Sequence, residues 1–187
     1  EDIRGIVYRE NGQLVDNGWR EVMDLNKVPF VYEDMNDFKN KIIYYETSRG
    51  CPFSCSYCLS SVDKKVRLRD MSLVEKELQF FIDHEVPQVK FVDRTFNCSK
   101  KHTMAGWRHI KAHDNGITNF HFEIGADLLD DEELAILSDM RPGLVQLEIG
   151  VQSTNDATIQ EVSRTMRLDR LAKAVHTVNV GHNIHQH

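Results

Sequence analysis

The chain of 187 residues has no apolar run approaching the roughly 20 residues that span a bilayer. Basic residues are not in excess. Lysine and arginine number 23 against 29 aspartate and glutamate, and the formal charge of −6 gives no general attraction to nucleic acid or to an anionic membrane. No charged-then-apolar leader opens the sequence, and no low-complexity tract interrupts it. Four cysteines, three of them bunched, do not make the disulfide framework of a small secreted domain. Together these absences make a reducing cytoplasm the expected compartment. What remains is ordinary globular composition, 41% apolar and 28% charged, with enough length for one core.

The first pattern is "IVYRENGQLVD", in which β-prone runs flank Asn11-Gly12, a strong two-residue hairpin signal. Positions 17–40 are irregular, and "VPFVYEDMNDF" reads as a linker that lays aromatics on a neighbouring element. A rhythm then begins. "KIIYYETS", "QVKFVDRTF", "NFHFEIGA" and "LVQLEIGVQS" are strand candidates, and "NIHQH" reads as a fifth strand just begun. Between them lie helical segments: "SLVEKELQFFIDHE", with Leu73, Leu78, Phe81 and Ile82 on one face; "KKHTMAGWRHIKAH"; "DDEELAILSDM"; and helical stretches through about Val180. Such alternation predicts parallel strands joined by right-handed crossovers, hence an α/β fold. About four and a half βα units make a partial TIM-type barrel, since the eight-unit form takes about 250 residues. The expected organisation is a hairpin and linker over 1–40, coming from an upstream domain, and a truncated barrel over 41–187. An unfinished fifth strand leaves an open edge, which is expected to pair with a second copy.

The chemistry concentrates in "ETSRGCPFSCSYCLSS", where Cys51, Cys55 and Cys58 follow a strand candidate in a Cys-x3-Cys-x2-Cys pattern. Structural zinc sites pair two CxxC-like elements, or one with two histidines, to reach four ligands. Here there is no second CxxC, His185 and His187 are only two apart, and Cys98 stands alone beyond a helix. A redox pair of the thioredoxin kind would need only two of the three. Three thiolates with one coordination position left over suit a cubane iron–sulfur cluster, otherwise held by four cysteines. Gly50 and Pro52 fit the tight turn that such a loop requires.

This loop, with aromatic Tyr57 just before the last cysteine, resembles that of the radical S-adenosylmethionine (radical SAM) superfamily. The resemblance implies a 4Fe-4S cluster held by Cys51, Cys55 and Cys58 in a six-unit partial barrel. S-adenosylmethionine would sit on the fourth iron and be cleaved reductively to a 5′-deoxyadenosyl radical, with a flavodoxin or ferredoxin as electron donor. Other positions are similar to the anaerobic coproporphyrinogen oxidase-like branch. On that likeness Asp93 in "FVDRTFN" would meet the methionine amino group, although the usual Gly-Gly-Glu signature is absent. Glu123 in "FHFEIGA" and Gln152 in "IGVQS" would bind the ribose hydroxyls, and Arg164, twelve residues after Gln152, the methionine carboxylate. The N-terminal hairpin and linker are similar to those of members with a cobalamin-binding domain upstream, which implies cobalamin in the full-length protein. Nothing in the sequence names the substrate.

Simpler readings stand beside these. The cysteines could form a zinc or iron–sulfur module without catalysis, or the chain could belong to a methylthiotransferase-like enzyme without cobalamin. Glu123 and Gln152 could pair with each other, because a buried carboxylate needs partners. Arg164 could be a solvated helix position, and Asp93 and Arg94 could neutralise one another at a strand end. Glu148 is a weaker site candidate than Glu123. Cys98 reads as a packed, idle thiol, and "DKKVRLRD" as a solvated connection.

Overall fold

A computed structural model describes residues 3–187. Its centre is a five-stranded sheet built from β3 (Ile43–Tyr45), β6 (Gln88–Phe91), β7 (Asn119–Ile124), β8 (Val145–Ile149) and β9 (His185–Gln186). The strands lie side by side in chain order, and every neighbouring pair is parallel. The crossovers carry α1 (Met71–Asp83), α2 (Lys100–Ala112), α3 (Asp131–Ser138), and a pair, α4 (Asp156–Glu161) and α5 (Leu168–Gly181). Sequential order of parallel strands is the arrangement of a barrel wall, so the expected partial (βα) architecture is present. β3 and β9 form the edges of the sheet.

Period-two alternation explains which side packs. Val89, Phe91, Phe120, Phe122, Val145 and Leu147 turn one way and are at most 1% exposed against the helices. There Phe122 lies between Phe91, at 4.3 Å between ring centroids, and Phe96, at 4.4 Å, with Trp107 of α2 completing the cluster. Helix α1 buries Val74, Glu77, Leu78, Phe81 and Ile82. Leu73, expected on that face, is only half-buried, and Glu77 has entered instead. The reason lies outside the helix. Tyr45 Oη donates to Glu77 at 2.5 Å, and Arg69 closes a 2.5 Å ion pair with it. A buried carboxylate is tolerated when it is both paired and hydrogen-bonded.

Two further expectations change in the structure. "KIIYYETS" does not form one strand: β3 stops at Tyr45, and β4 (Ser48–Arg49) pairs antiparallel with β5 (Arg67–Leu68). The "DKKVRLRD" stretch therefore contributes a strand and is not merely a solvated connection. The N-terminal hairpin, β1 (Val7–Glu10) and β2 (Gln13–Asp16), turns on Asn11 and Gly12, both at positive φ as this turn requires. The following linker does lay its aromatics on a neighbour: Phe30 packs edge-on to Phe80, and Tyr32 to Phe81. No helix among the described residues is long and apolar enough to cross a membrane.

Candidate cofactor site

At the C-terminal ends of β6, β7 and β8 the sheet opens into a cavity of about 250 Å3. Cys51, Cys55 and Cys58 all line it, and so do Tyr57, Glu123, Gln152 and Arg164. Seven residues spread over more than a hundred positions thus meet where parallel α/β folds gather their chemistry.

The cysteine loop is held from three sides. Gly50 enters it at φ +96°, and a Cβ there would lie 2.5 Å from the Lys65 carbonyl oxygen, so only glycine fits the approach to β5. The Cys51 amide donates to Asp63 O at 3.0 Å, and the Ser56 amide reaches across to Val162 O at the end of α4, at 2.9 Å. Inside the loop the Cys58 amide donates to Cys55 O, and the Ser61 amide to Cys58 O. All three thiols are free. The Ser60 hydroxyl and amide hydrogen-bond to Cys58 and hold its thiol below the usual range, which favours the thiolate that binds metal.

Arg164 joins the loop to the far wall. Its Nη1 donates to Tyr57 Oη at 3.0 Å and its Nη2 to the Gly150 carbonyl oxygen, while Nε is buried without a partner. Tyr57, 53% exposed, stands over the cavity mouth and does not fill the core beneath the loop. Gln152 takes a left-handed φ of 65°, which folds its amide back over Gly150, where an added Cβ would lie 3.0 Å from Nε2.

Glu123 and Glu148 are register partners on adjacent strands, an unfavourable juxtaposition of like charges. Glu148 is relieved by Lys90 at 3.0 Å, which holds its carboxyl below the usual range, and His121 Nε2 lies 3.2 Å away. The Glu123 carboxylate has no such partner among the described residues and does not pair with Gln152. Burial first, and then Glu148, push its pKa up. Glu123 therefore stays an open, half-buried acceptor on the cavity wall.

Asp93 is not brought to the cavity. It is fully buried, and its two oxygens accept from the Thr47 amide at 3.0 Å and the Thr47 hydroxyl at 2.7 Å. Desolvation raises its pKa to about 6. It fastens β6 to the turn between β3 and β4, and it does not neutralise Arg94. Arg94, next in sequence, is the residue that lines the cavity. Cys98 lies outside the lining, its thiol pushed up by burial.

The donor set can be tested against a metal group. The cavity lining holds three cysteines, no fourth cysteine and no histidine. Among the described residues no His, Cys, Asp or Glu side chains gather tightly enough to hold a single ion. Thiols spaced around a cavity fit a polynuclear cluster, whose irons occupy separate corners, better than a closed zinc centre.

Comparison with known proteins agrees. The Radical SAM superfamily model matches residues 45–180. An uncharacterized methyltransferase from Pyrococcus horikoshii is 30% identical over 109 residues, 53% of this chain and 24% of that protein. The cobalamin-dependent S-adenosylmethionine radical enzyme OxsB, solved with aqua-cobalamin, matches 99% of this chain and 29% of its own at TM-score 0.76 and 19% identity. The radical S-adenosylmethionine methyltransferase TsrM from Kitasatospora setae, solved with cobalamin and a 4Fe-4S cluster, matches 78% and 31% at TM-score 0.64 and 15% identity. The chain thus spans about a quarter to a third of the length of these relatives. On the family match, with the cysteine loop placed at the mouth of a parallel sheet, the chain belongs to the radical SAM superfamily.

Proposed function

We propose that this chain is the cofactor-binding core of a radical SAM enzyme, with Cys51, Cys55 and Cys58 as the ligands of a 4Fe-4S cluster. When bound, that cluster supplies the electron that cleaves the sulfonium of S-adenosylmethionine to a 5′-deoxyadenosyl radical. The chain's own residues do the rest. Glu123 and Gln152 offer acceptors and an amide to the ribose hydroxyls from neighbouring strand ends. Tyr57 covers the mouth above the loop and limits the entry of water. Arg164 braces Tyr57 against Gly150, so that loop and far wall move as one. Cobalamin enters the reading as a second cofactor of the whole protein, supported by the OxsB likeness over nearly the entire chain. Methyl transfer is the reaction class that the named relatives support.

The observation that carries this reading is the convergence of three free thiols, with Glu123, Gln152 and Arg164, on one cavity. Anaerobic reconstitution with iron and sulfide tests it. About four irons per chain and a broad visible absorbance that changes with S-adenosylmethionine are expected. One colourless zinc per chain would support a non-catalytic binding module instead.

A further inference from the structure

One row of side chains runs unbroken across all five strands of the central sheet. In register, Tyr44 of β3 stands beside Lys90 of β6, Lys90 beside His121 of β7, His121 beside Gln146 of β8, and Gln146 beside His185 of β9. All five alternate with the apolar residues buried against the helices, and so belong to the opposite face. A barrel interior that is simply packed stacks Val, Ile and Leu in such layers. This row holds none of them, and no acidic residue either. Each of its side chains can donate a hydrogen bond, and Lys90 adds a positive charge.

These donors are largely unspent. Lys90 gives one N–H to Glu148 at 3.0 Å, and an ammonium has three. His121 Nε2 is shut off from water and has no hydrogen-bond partner among the described residues, although a Glu148 oxygen lies 3.2 Å away. A row of donors without acceptors is incomplete, because polar groups inside a fold are normally paired. Glu148 shows what fits there. It belongs to the next row, where it lines the cavity, yet its carboxylate is the one acceptor that Lys90 holds. Its side chain is 45% exposed, so an incoming group of the same chemistry can take its place.

We propose that this row recognises the substrate, and that the group it takes is an oxyanion, a carboxylate or a phosphate, held by Lys90 and His121. The inference rests on the reading that the cavity holds the cofactor. The two rows are two residues apart along the strands, which sets the anionic end about 7 Å below the level of Glu123 and Glu148. Those carboxylates turn an anion away from the cavity and so fix the orientation, charged end down and the remainder toward the cofactor.

The test detects weak ligands by saturation-transfer NMR, on the methyl protons of acetate, methylphosphonate and tetramethylammonium with the full-length protein. At least one of the two anions is expected to bind with a dissociation constant on the order of 1–10 mM, and tetramethylammonium more weakly. The tighter anion tells whether carboxylate or phosphate is the source. Lys90→Gln should weaken that anion by about fivefold or more, and Lys90→Arg should keep it. Glu148→Gln should tighten it by about three- to tenfold, because the internal competitor is gone. A Lys90–Glu148 pair that only steadied the fold would give no such gain, and this arm decides even where Lys90→Gln fails to fold. Three results would overturn the assignment: neither anion binds, tetramethylammonium binds best, or both variants leave anion binding unchanged, which marks an adventitious ion only. Anion binding without iron uptake on anaerobic loading would remove the cofactor reading and leave the oxyanion site. Iron uptake without anion binding would do the reverse.

Discussion

The two faces of the central sheet obey different rules. Toward the helices, Val89, Phe91, Phe120, Phe122, Val145 and Leu147 form an apolar surface sealed from water. On the opposite face the alternate residues are Lys90, His121, Glu123, Gln146 and Glu148. The apolar face depends on buried area and close packing, not on the direction of any bond. The polar face depends on register: a one-residue slip of β8 would turn Glu148 inward and part it from Lys90 and His121. One sheet thus separates what holds the fold from what lines the cavity.

The sharpest way to break that separation is at the loop above the polar face. Cys58→Ala should take bound iron from about four per chain to near zero, while far-UV circular dichroism stays that of the wild type. The reverse experiment is Phe122→Ala. It empties a site between Phe91, Phe96 and Trp107 and should lower unfolding free energy by about 3–5 kcal/mol in denaturant titration. If Cys58→Ala unfolds the chain, or Phe122→Ala leaves its stability untouched, the two faces are not separate.

Asp93 lies between these regimes and gives a pH test. Its folded pKa of about 6 is above the ordinary carboxyl value of 3.8, so between those pH values the folded chain holds more protons than the unfolded one. The carboxyl's contribution to stability is therefore greatest below about pH 4 and declines as pH rises through 6, by at most about 3 kcal/mol. Subtracting the stability profile of Asp93→Asn from that of the wild type should expose this downward slope. A flat difference would mean that the carboxyl is solvated. The smallest effect is expected from Tyr57→Phe, which removes one acceptor from Arg164. It should change stability by less than about 1 kcal/mol while weakening S-adenosylmethionine binding a few-fold in equilibrium dialysis.

These contrasts also mark what could be read in the sequence. The apolar alternation of "NFHFEI" announces a strand without help from any partner, and Asn11-Gly12 announces its turn. The cysteine spacing locates the loop for the same reason, since its three cysteines are neighbours in the chain. Glu77 escapes such reading because its burial is made possible by Tyr45 and Arg69, which belong to other elements. Asp93 and Arg94 show the same limit. Period and charge place both at a strand end, but only the approach of Thr47 decides that the aspartate turns in and the arginine is left to the cavity. Likewise the Tyr57–Arg164 bond joins residues 107 positions apart, and only the folded sheet brings them together.

The central claim is that three cysteines of this chain hold a cluster on which S-adenosylmethionine sits. Electron paramagnetic resonance of the reduced, iron-loaded protein addresses it most directly, recorded with and without S-adenosylmethionine. The account predicts a 4Fe-4S signal whose g values shift when the cofactor is added. A signal indifferent to S-adenosylmethionine, or a protein loaded with zinc and silent in the spectrum, would contradict it.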